Sequence, residues 1–185
     1  MMLTTGELKQ AAEYAKRSLK YETFASKRFS TYTTYDLFIS HSFKDKDLVV
    51  GLYYMFDCAG YNVYIDWIDD ASLNRENVTD QTAAIIRQRI KQSKGLSYIA
   101  TANITSSKWC PWELGISDGM HGRACILPVL YGTFKGQEYL GLYPYLEYKK
   151  SENLTRDDFY VCDQKGSGKC ISLREWLLVV HKSNG

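Results

Sequence analysis

The residues best suited to chemistry lie between Asn103 and His121, a stretch that places the carboxylate of Glu113 among tryptophans and glycines. Trp109 and Glu113 are four residues apart, so a helix that begins at Trp109 presents both side chains on one face. Pro111 fits only within the first turn of a helix, which puts Glu113 near the N-terminus, where the peptide dipole favours an ionised carboxylate. Because no acid–base or nucleophilic partner stands beside it, Glu113 is predicted to hold hydroxyl groups or to stabilise positive charge.

Both residues of this pair have a structural alternative. A carboxylate near a helix start can close the first turn on a backbone donor, which would make Glu113 a capping residue. Trp109 can pack on Leu114 as a hydrophobic staple. The local sequence leaves open whether Trp109 lines a pocket or only stabilises the helix.

The elements that must position these residues alternate between strands and helices. Short, mainly apolar runs predict strands at residues 35–40, 62–67, 95–101, 124–130 and 158–163. Helical spacing predicts an amphipathic helix at 4–20 with a capping box, and helices at 48–59, 79–93, from 109 to Gly119 or Gly122, and 173–180. The Tyr-rich segment 131–150 is expected to hold at most one short helix. This order predicts an α/β fold with a parallel sheet covered by helices on both faces.

Parallel sheets of this type bind ligands at the carboxyl ends of their strands. The loops that begin at these ends carry several polar and aromatic side chains. We therefore expect one cleft to be rimmed by Ser40, His41, Phe43, Asp66, Trp67, Trp109 and Glu113.

Composition limits the partners. The chain has 185 residues, enough for one domain with an appendage, and a net charge of +2, too small to make nucleic acid or an anionic membrane the main partner. No apolar run approaches the ~20 residues that span a bilayer, and residues 1–20 lack the apolar core of a signal peptide. The protein is expected to be cytoplasmic.

Cysteine and histidine usage predicts no metal site. The five cysteines are odd in number and lack a C-x-x-C spacing, so they are predicted to be reduced thiols. The three histidines are scattered along the chain. No G-x-G-x-x-G follows a strand, and residues 166–170 lack the parts of a phosphate-binding loop. A response-regulator receiver is rejected because the first strand ends in Ser-His-Ser, where paired acids should bind magnesium.

Three motifs in order resemble the TIR (Toll/interleukin-1 receptor) domain family: YDLFISHSFKDKD, NVYIDW and SSKWCPWELG. They look like its first strand and loop, its second strand and its third-loop helix, and the resemblance covers roughly residues 35 to 180. It is closest to stand-alone bacterial TIR proteins, such as those of Thoeris anti-phage systems. The resemblance divides the chain into an N-terminal helix with connector, 1–34, and a TIR domain, 35–185.

This resemblance implies a flavodoxin-like sheet of five parallel strands and an enzyme that cleaves the nicotinamide–ribose bond of NAD⁺. By motif, Glu113 corresponds to the catalytic glutamate and Trp109 to a pocket aromatic, while residues 40–43 and 66–67 match loops that flank the substrate. NAD⁺ is then a substrate, and neither a cofactor nor a metal is expected. The implied partners are other TIR copies, in a homo-oligomer formed on activation, and a separate effector that senses the product.

Elementary chemistry supports the same role for Glu113. Nicotinamide leaves a cationic pyridinium as a neutral molecule, so it needs little acid assistance, and the barrier lies in forming an oxocarbenium-like ribose. One well-placed carboxylate can stabilise that cation. The alternatives are a non-catalytic TIR interaction module, including an effector acting on host signalling, and a nucleoside deoxyribosyltransferase-like enzyme. Whether NAD⁺ is hydrolysed, cyclised or used to transfer ADP-ribose is left open by the sequence.

Overall fold

A computed structural model describes residues 2–18, 34–70, 79–130, 141–151, 157–163 and 168–178. Its strands are β1 Leu3–Thr4, β2 Tyr35–Ser40, β3 Val63–Tyr64, β4 Ser93–Ala100, β5 Ala124–Leu130, β6 Tyr145–Lys149, β7 Asp158–Cys162 and β8 Cys170–Ser172. Its α-helices are α1 Thr5–Arg17, α2 Lys46–Ala59, α3 Asp66–Asp69, α4 Asp80–Gln92, α5 Trp109–His121 and α6 Leu173–Leu178. Short 3₁₀ helices lie at Phe43–Asp45 and Ile104–Ser106.

The strands form one sheet in the order β3-β2-β4-β5-β6-β7-β8. The first five of these strands pair in parallel, which confirms the predicted flavodoxin-like architecture. The fifth parallel strand is β6, however, and not the predicted strand at 158–163, because β7 pairs antiparallel with both β6 and β8. Sequence reasoning missed β6 because only alternate residues, Leu146 and Tyr148, are buried, so the strand has no continuous apolar run.

Helices cover both faces of the sheet. One face packs Leu37 and Ile39 of β2 against Leu52 and Phe56 of α2, and α6 belongs to the same apolar cluster. The opposite face packs β2, β4 and β5 against helices α4 and α5, with Leu114 of α5 in that cluster. Alternate side chains of β2 therefore enter two separate apolar cores, one on each face of the sheet. The carboxyl end of β2 lies between the two layers of helices.

The N-terminal segment is part of this fold in the described residues. The capping box at Thr4 is present, as predicted, and Leu3 and Thr4 of β1 pair in parallel with the end of β5. Helix α1 packs so closely on α2 that a Cβ on Gly51 would overlap the carbonyl oxygen of Leu8. The predicted connector at 21–34 lies outside the described residues except for its last residue. No helix in the described part of the chain has the length and apolar character to cross a membrane.

One prediction about the cysteines is wrong. Cys162 and Cys170 form a disulfide, with a sequence separation of 8 residues. The two residues face each other across the antiparallel β7–β8 pair, which brings their side chains together. Their spacing gave no signal because this disulfide depends on the antiparallel register of β7 and β8, which places the two residues opposite each other. Cys58, Cys110 and Cys125 are free thiols, as predicted.

Candidate active site

The carboxylate of Glu113 meets the end of β2 inside the protein. The hydroxyl of Ser40 donates a hydrogen bond of 2.6 Å to Glu113 Oε2, and both residues are fully buried. This contact joins two elements 73 residues apart in sequence. A short hydrogen bond to a charged acceptor is among the stronger interactions in proteins, so it fixes the orientation of the carboxylate.

Helix α5 is placed by its own first turn. Pro111 is its third residue, within the first turn as predicted, and Glu113 is its fifth. The backbone N–H of Cys110 donates to the hydroxyl of Ser107, which satisfies one of the open donors at the helix start. Gly122 ends the helix in the left-handed conformation, one of the two stops predicted for it.

A second contact ties α5 to the loop after β2. The thiol of Cys110 donates to the carbonyl oxygen of His41 over 3.2 Å, and both residues are buried. The helix that carries Glu113 is thus held to the residue next to Ser40. Together, the thiol and hydroxyl contacts fix the separation between α5 and the carboxyl end of β2.

The ring of His41 links the β2 loop to α3. Its Nε2 atom accepts a hydrogen bond of 3.0 Å from the indole nitrogen of Trp67, so this nitrogen carries no proton. Its Nδ1 atom lies 3.0 Å from the carbonyl oxygen of Ile39, to which it must donate. His41 is therefore the neutral Nδ1–H tautomer. Asp66 is also buried, with its Oδ1 atom 3.6 Å from the same Nε2 atom.

An ion pair anchors the short helix that carries Asp66 and Trp67. Asp70, just after α3, accepts two hydrogen bonds of 2.8 and 3.0 Å from Arg89 of α4. Arg89 is almost completely buried, and Tyr64 of β3 donates a third hydrogen bond to Asp70. A bidentate guanidinium–carboxylate pair has a fixed geometry, so it sets where the chain after β3 turns toward the site.

The outer part of the site is aromatic and positively charged. Phe43 is 62% exposed, an unusual position for a phenylalanine. The ammonium group of Lys46 lies 3.7 Å from the centre of the Phe43 ring and 5.3 Å from that of the Trp67 ring. Both distances allow a cation–π interaction. Lys46 thus joins two aromatic residues that the sequence predicted to contact substrate.

A buried carboxylate holds the loops after β2 and β4 together. Asp45 is 3% exposed and accepts hydrogen bonds of 2.6 Å from the hydroxyl of Thr101 and 2.6 Å from the amide of Asn103. Both oxygens of the buried carboxyl group are thus satisfied by neutral polar donors. The loop that leads to α5 is fixed in this way to the turn that precedes α2.

Trp109 lies at the first position of α5 and is partly buried. Its ring meets that of Trp112 edge to face, with centroids 5.3 Å apart, and both rings pack against the core cluster beneath α5. The two tryptophans support each other and the helix start. A pocket role for Trp109 stays a prediction.

The fold brings the predicted residues into two directly bonded groups. Ser40 bonds to Glu113, and His41 bonds to Trp67 beside Asp66, while Lys46 bridges Phe43 and Trp67. Sequence reasoning missed Asp45, Lys46 and Cys110. The available signal for the first two was their place in the loop after the first strand, but nothing local distinguishes a buried aspartate from a solvated one.

This arrangement suits the stabilisation of a cation. A buried anionic oxygen with a fixed orientation stabilises positive charge strongly, because no water reorganises around it. Among the described residues there is no group of three or more metal-ligating side chains. The side chains near the carboxylate offer aromatic surfaces and one ammonium group, which suits electrostatic stabilisation of a cation.

Comparison with known proteins gives the family. A TIR domain profile matches residues 37–159. A protein of Bacillus cereus (strain MSX-D12) described as probable 3' cyclic ADP-D-ribose synthase ThsB' is 38% identical over 157 residues, which cover 83% of this chain and 80% of that protein. A putative cyclic ADP-D-ribose synthase, TIR2, of Cytobacillus dafuensis is 37% identical over 84 residues, 45% of this chain and 22% of that protein.

Among solved structures, the TIR domain of a Toll-related receptor from Hydra magnipapillata matches with a TM-score of 0.48 and 22% identity, over 60% of this chain and 82% of that domain. The profile match spans more than half of the chain and includes both β2 and the helix that carries Glu113. The chain belongs to the TIR domain family.

Proposed function

We propose that this protein cleaves the nicotinamide–ribose bond of NAD⁺ and that Glu113 is its catalytic residue. The observation that carries the proposal is the fully buried Glu113 carboxylate, held by the Ser40 hydroxyl at the carboxyl end of the parallel sheet. The family and the described activity of the Bacillus cereus relative support it. Ser40, His41, Phe43, Asp66, Trp67 and Trp109 form the surrounding substrate site.

The reaction needs one anion and no general acid. The bond between ribose C1 and the pyridinium nitrogen breaks, and its electron pair leaves with nicotinamide, which departs neutral. The ribose develops oxocarbenium character, which Glu113 stabilises by its charge and by contact with the ribose hydroxyls. Removal of one such preorganised group typically lowers the rate on the order of 10² to 10³.

We propose a cyclic ADP-ribose isomer as the product, in line with the described activities of both relatives. In that case a nucleophilic atom of the substrate itself attacks C1 and loses its proton, and water is kept out. The aromatic rings of Phe43, Trp67 and Trp109 offer surfaces on which the substrate's bases stack and exclude water. Capture by water instead gives ADP-ribose.

We further propose that the protein acts in the cytoplasm in anti-phage defence, as a homo-oligomer that forms on activation. Its product would act as a signal for a separate effector. NAD⁺ is the substrate, and no cofactor takes part.

The test compares nicotinamide release by the wild-type protein and the Glu113→Gln variant, at protein concentrations that allow assembly. The variant keeps the size of the side chain and removes its charge. Glu13→Gln, on the solvent-exposed side of α1, is the matched control. We expect the control to match the wild type and Glu113→Gln to lose activity by about 10² or more. Equal release by wild type and Glu113→Gln would refute the assignment, and mass spectrometry of the products identifies the acceptor.

A further inference from the structure

Lys46 is the first residue of α2 and has no carboxylate partner in the described part of the chain. Its ammonium group lies over the rings of Phe43 and Trp67. A cation–π contact uses the charge of an ammonium group but leaves N–H donors available for other acceptors. Lys46 is only partly buried, so these donors can reach a bound ligand.

The carboxylate next to Lys46 in sequence does not compete for it. Asp45 turns inward and is satisfied by Thr101 and Asn103. Both donors are neutral groups, and no ion pair of Asp45 occurs within the described residues. The turn at Phe43–Asp45 therefore buries a negative charge and presents a positive charge at the adjacent position.

The site needs this cation when it binds an anionic substrate. Glu113, Asp45 and Asp66 place three buried carboxyl groups in this part of the fold. The diphosphate of NAD⁺ carries two further negative charges. Repulsion between like charges in a poorly hydrated site is large, so a cation is required between the diphosphate and these carboxylates. Lys46 is the ammonium group that the described structure places beside the substrate aromatics.

We propose that Lys46 binds the diphosphate of NAD⁺, between the rings of Phe43 and Trp67. This inference rests on the proposed function. In this geometry the ammonium group donates to the phosphate oxygens, while the two rings are left to stack on the bases at either end of the substrate. The nicotinamide end then reaches Glu113.

The experiment measures kcat/KM of Lys46→Gln and Lys46→Arg for two substrates. NAD⁺ has the diphosphate, whereas nicotinamide riboside has the same glycosidic bond and no phosphate. Lys44→Gln, which removes the same charge from an exposed neighbour in the same turn, is the matched control. A separate binding measurement with ADP, which has the diphosphate but no nicotinamide, gives a readout that does not depend on catalysis.

We expect Lys46→Gln to lower kcat/KM for NAD⁺ by roughly tenfold or more, as the loss of a hydrogen bond to a charged group predicts. The same variant should change kcat/KM for nicotinamide riboside by no more than about twofold and should weaken ADP binding. Lys46→Arg should keep most of the kcat/KM for NAD⁺ and most of the ADP binding, because it keeps the charge. Equal loss for both substrates, or ADP binding unchanged by Lys46→Gln, would overturn the proposal. A wild-type protein that releases no nicotinamide refutes the proposed function instead, and the ADP measurement still decides the role of Lys46.

Discussion

Replacement of Ser40 by alanine tests the contact on which the site depends. Ser40→Ala removes one oxygen atom from a fully buried position and takes a donor away from the Glu113 carboxylate. A hydrogen bond to a charged group contributes about 1.5–3 kcal/mol, and a buried charge that loses a donor retains its desolvation cost. We therefore expect the free energy of unfolding to fall by about 2–3 kcal/mol. For a chain of 185 residues, this corresponds to a drop in Tm of roughly 4–12 °C.

Ser40→Ala should lower nicotinamide release by more than the loss of folded protein alone would. Loss of the Ser40 donor loosens the position of the carboxylate, and displacement of a reacting group by about 1 Å can cost 10²-fold in rate. Nicotinamide release should fall by roughly 10- to 100-fold at a temperature where the variant is folded. Thermal unfolding and a nicotinamide assay measure the two effects separately.

Ser97→Ala is the matched control. Ser97 lies on the adjacent strand β4, is equally buried, and pairs with no carboxylate in the described part of the chain. Removal of a buried hydroxyl without a strong partner should leave the free energy of unfolding almost unchanged or raise it slightly. The reasoning fails if Ser40→Ala and Ser97→Ala unfold alike. It also fails if the effects of Ser40→Ala and Glu113→Gln on unfolding are additive, because directly bonded residues should show a coupling energy of about 0.5–3 kcal/mol.

Two further predictions concern the frame around the site. Gly51→Ala should lower the free energy of unfolding by about 2 kcal/mol or more, because its methyl group displaces α1. It should also lower nicotinamide release, because Trp67 packs against the apolar cluster that α1 and α2 form together. The control is Gly119→Ala in α5, where the methyl group meets nothing within 4 Å. It should raise the free energy of unfolding by about 0.5–1 kcal/mol. Equal free energies of unfolding for the two variants would contradict the close packing of α1 on α2. The double variant Cys162→Ser and Cys170→Ser should lower the free energy of unfolding by about 2.5 kcal/mol under oxidising conditions, given the short loop that this disulfide closes. Addition of a reductant should remove that difference, and wild-type protein that shows five reactive thiols after unfolding without reductant would contradict the disulfide.

Most of the central sheet could be predicted because its strands are covered on both faces. Residues 37–39 and 124–129 carry apolar side chains toward both faces of the sheet, so each segment is a continuous apolar run. Helix α2 ends at Gly60, which takes the left-handed conformation that favours glycine, as its position after the apolar run predicted. Strands β6 and β8 are short and partly exposed, and β6 includes Tyr, Glu and Lys. Such strands are specified by their neighbours in the sheet, so their own composition carries a weak signal.

The site was predicted as a set of residues but not as a set of contacts. The rule that ligands bind at the carboxyl ends of parallel strands selected the loops, and the TIR resemblance selected Glu113. Neither assigned a donor to the carboxylate or a tautomer to His41. The burial of Asp45 has no local signal, because a buried aspartate and a solvated one have the same local sequence. The same holds for the contacts of Lys46 with two aromatic rings.

The sequence by itself determined most of the order of strands and helices, the first turn of α5 around Pro111, and the chemical type of the group in the site. Those features depend on local propensity and on apolar periodicity, which every short segment carries within it. Only the tertiary structure decided that Ser40 donates to Glu113, that His41 accepts from Trp67, and that Cys162 bonds to Cys170. Such contacts depend on strand register and on the separation of packed layers, which are collective properties of the whole chain. The carboxylate of Glu113 is thus specified by sequence, and its orientation by the fold.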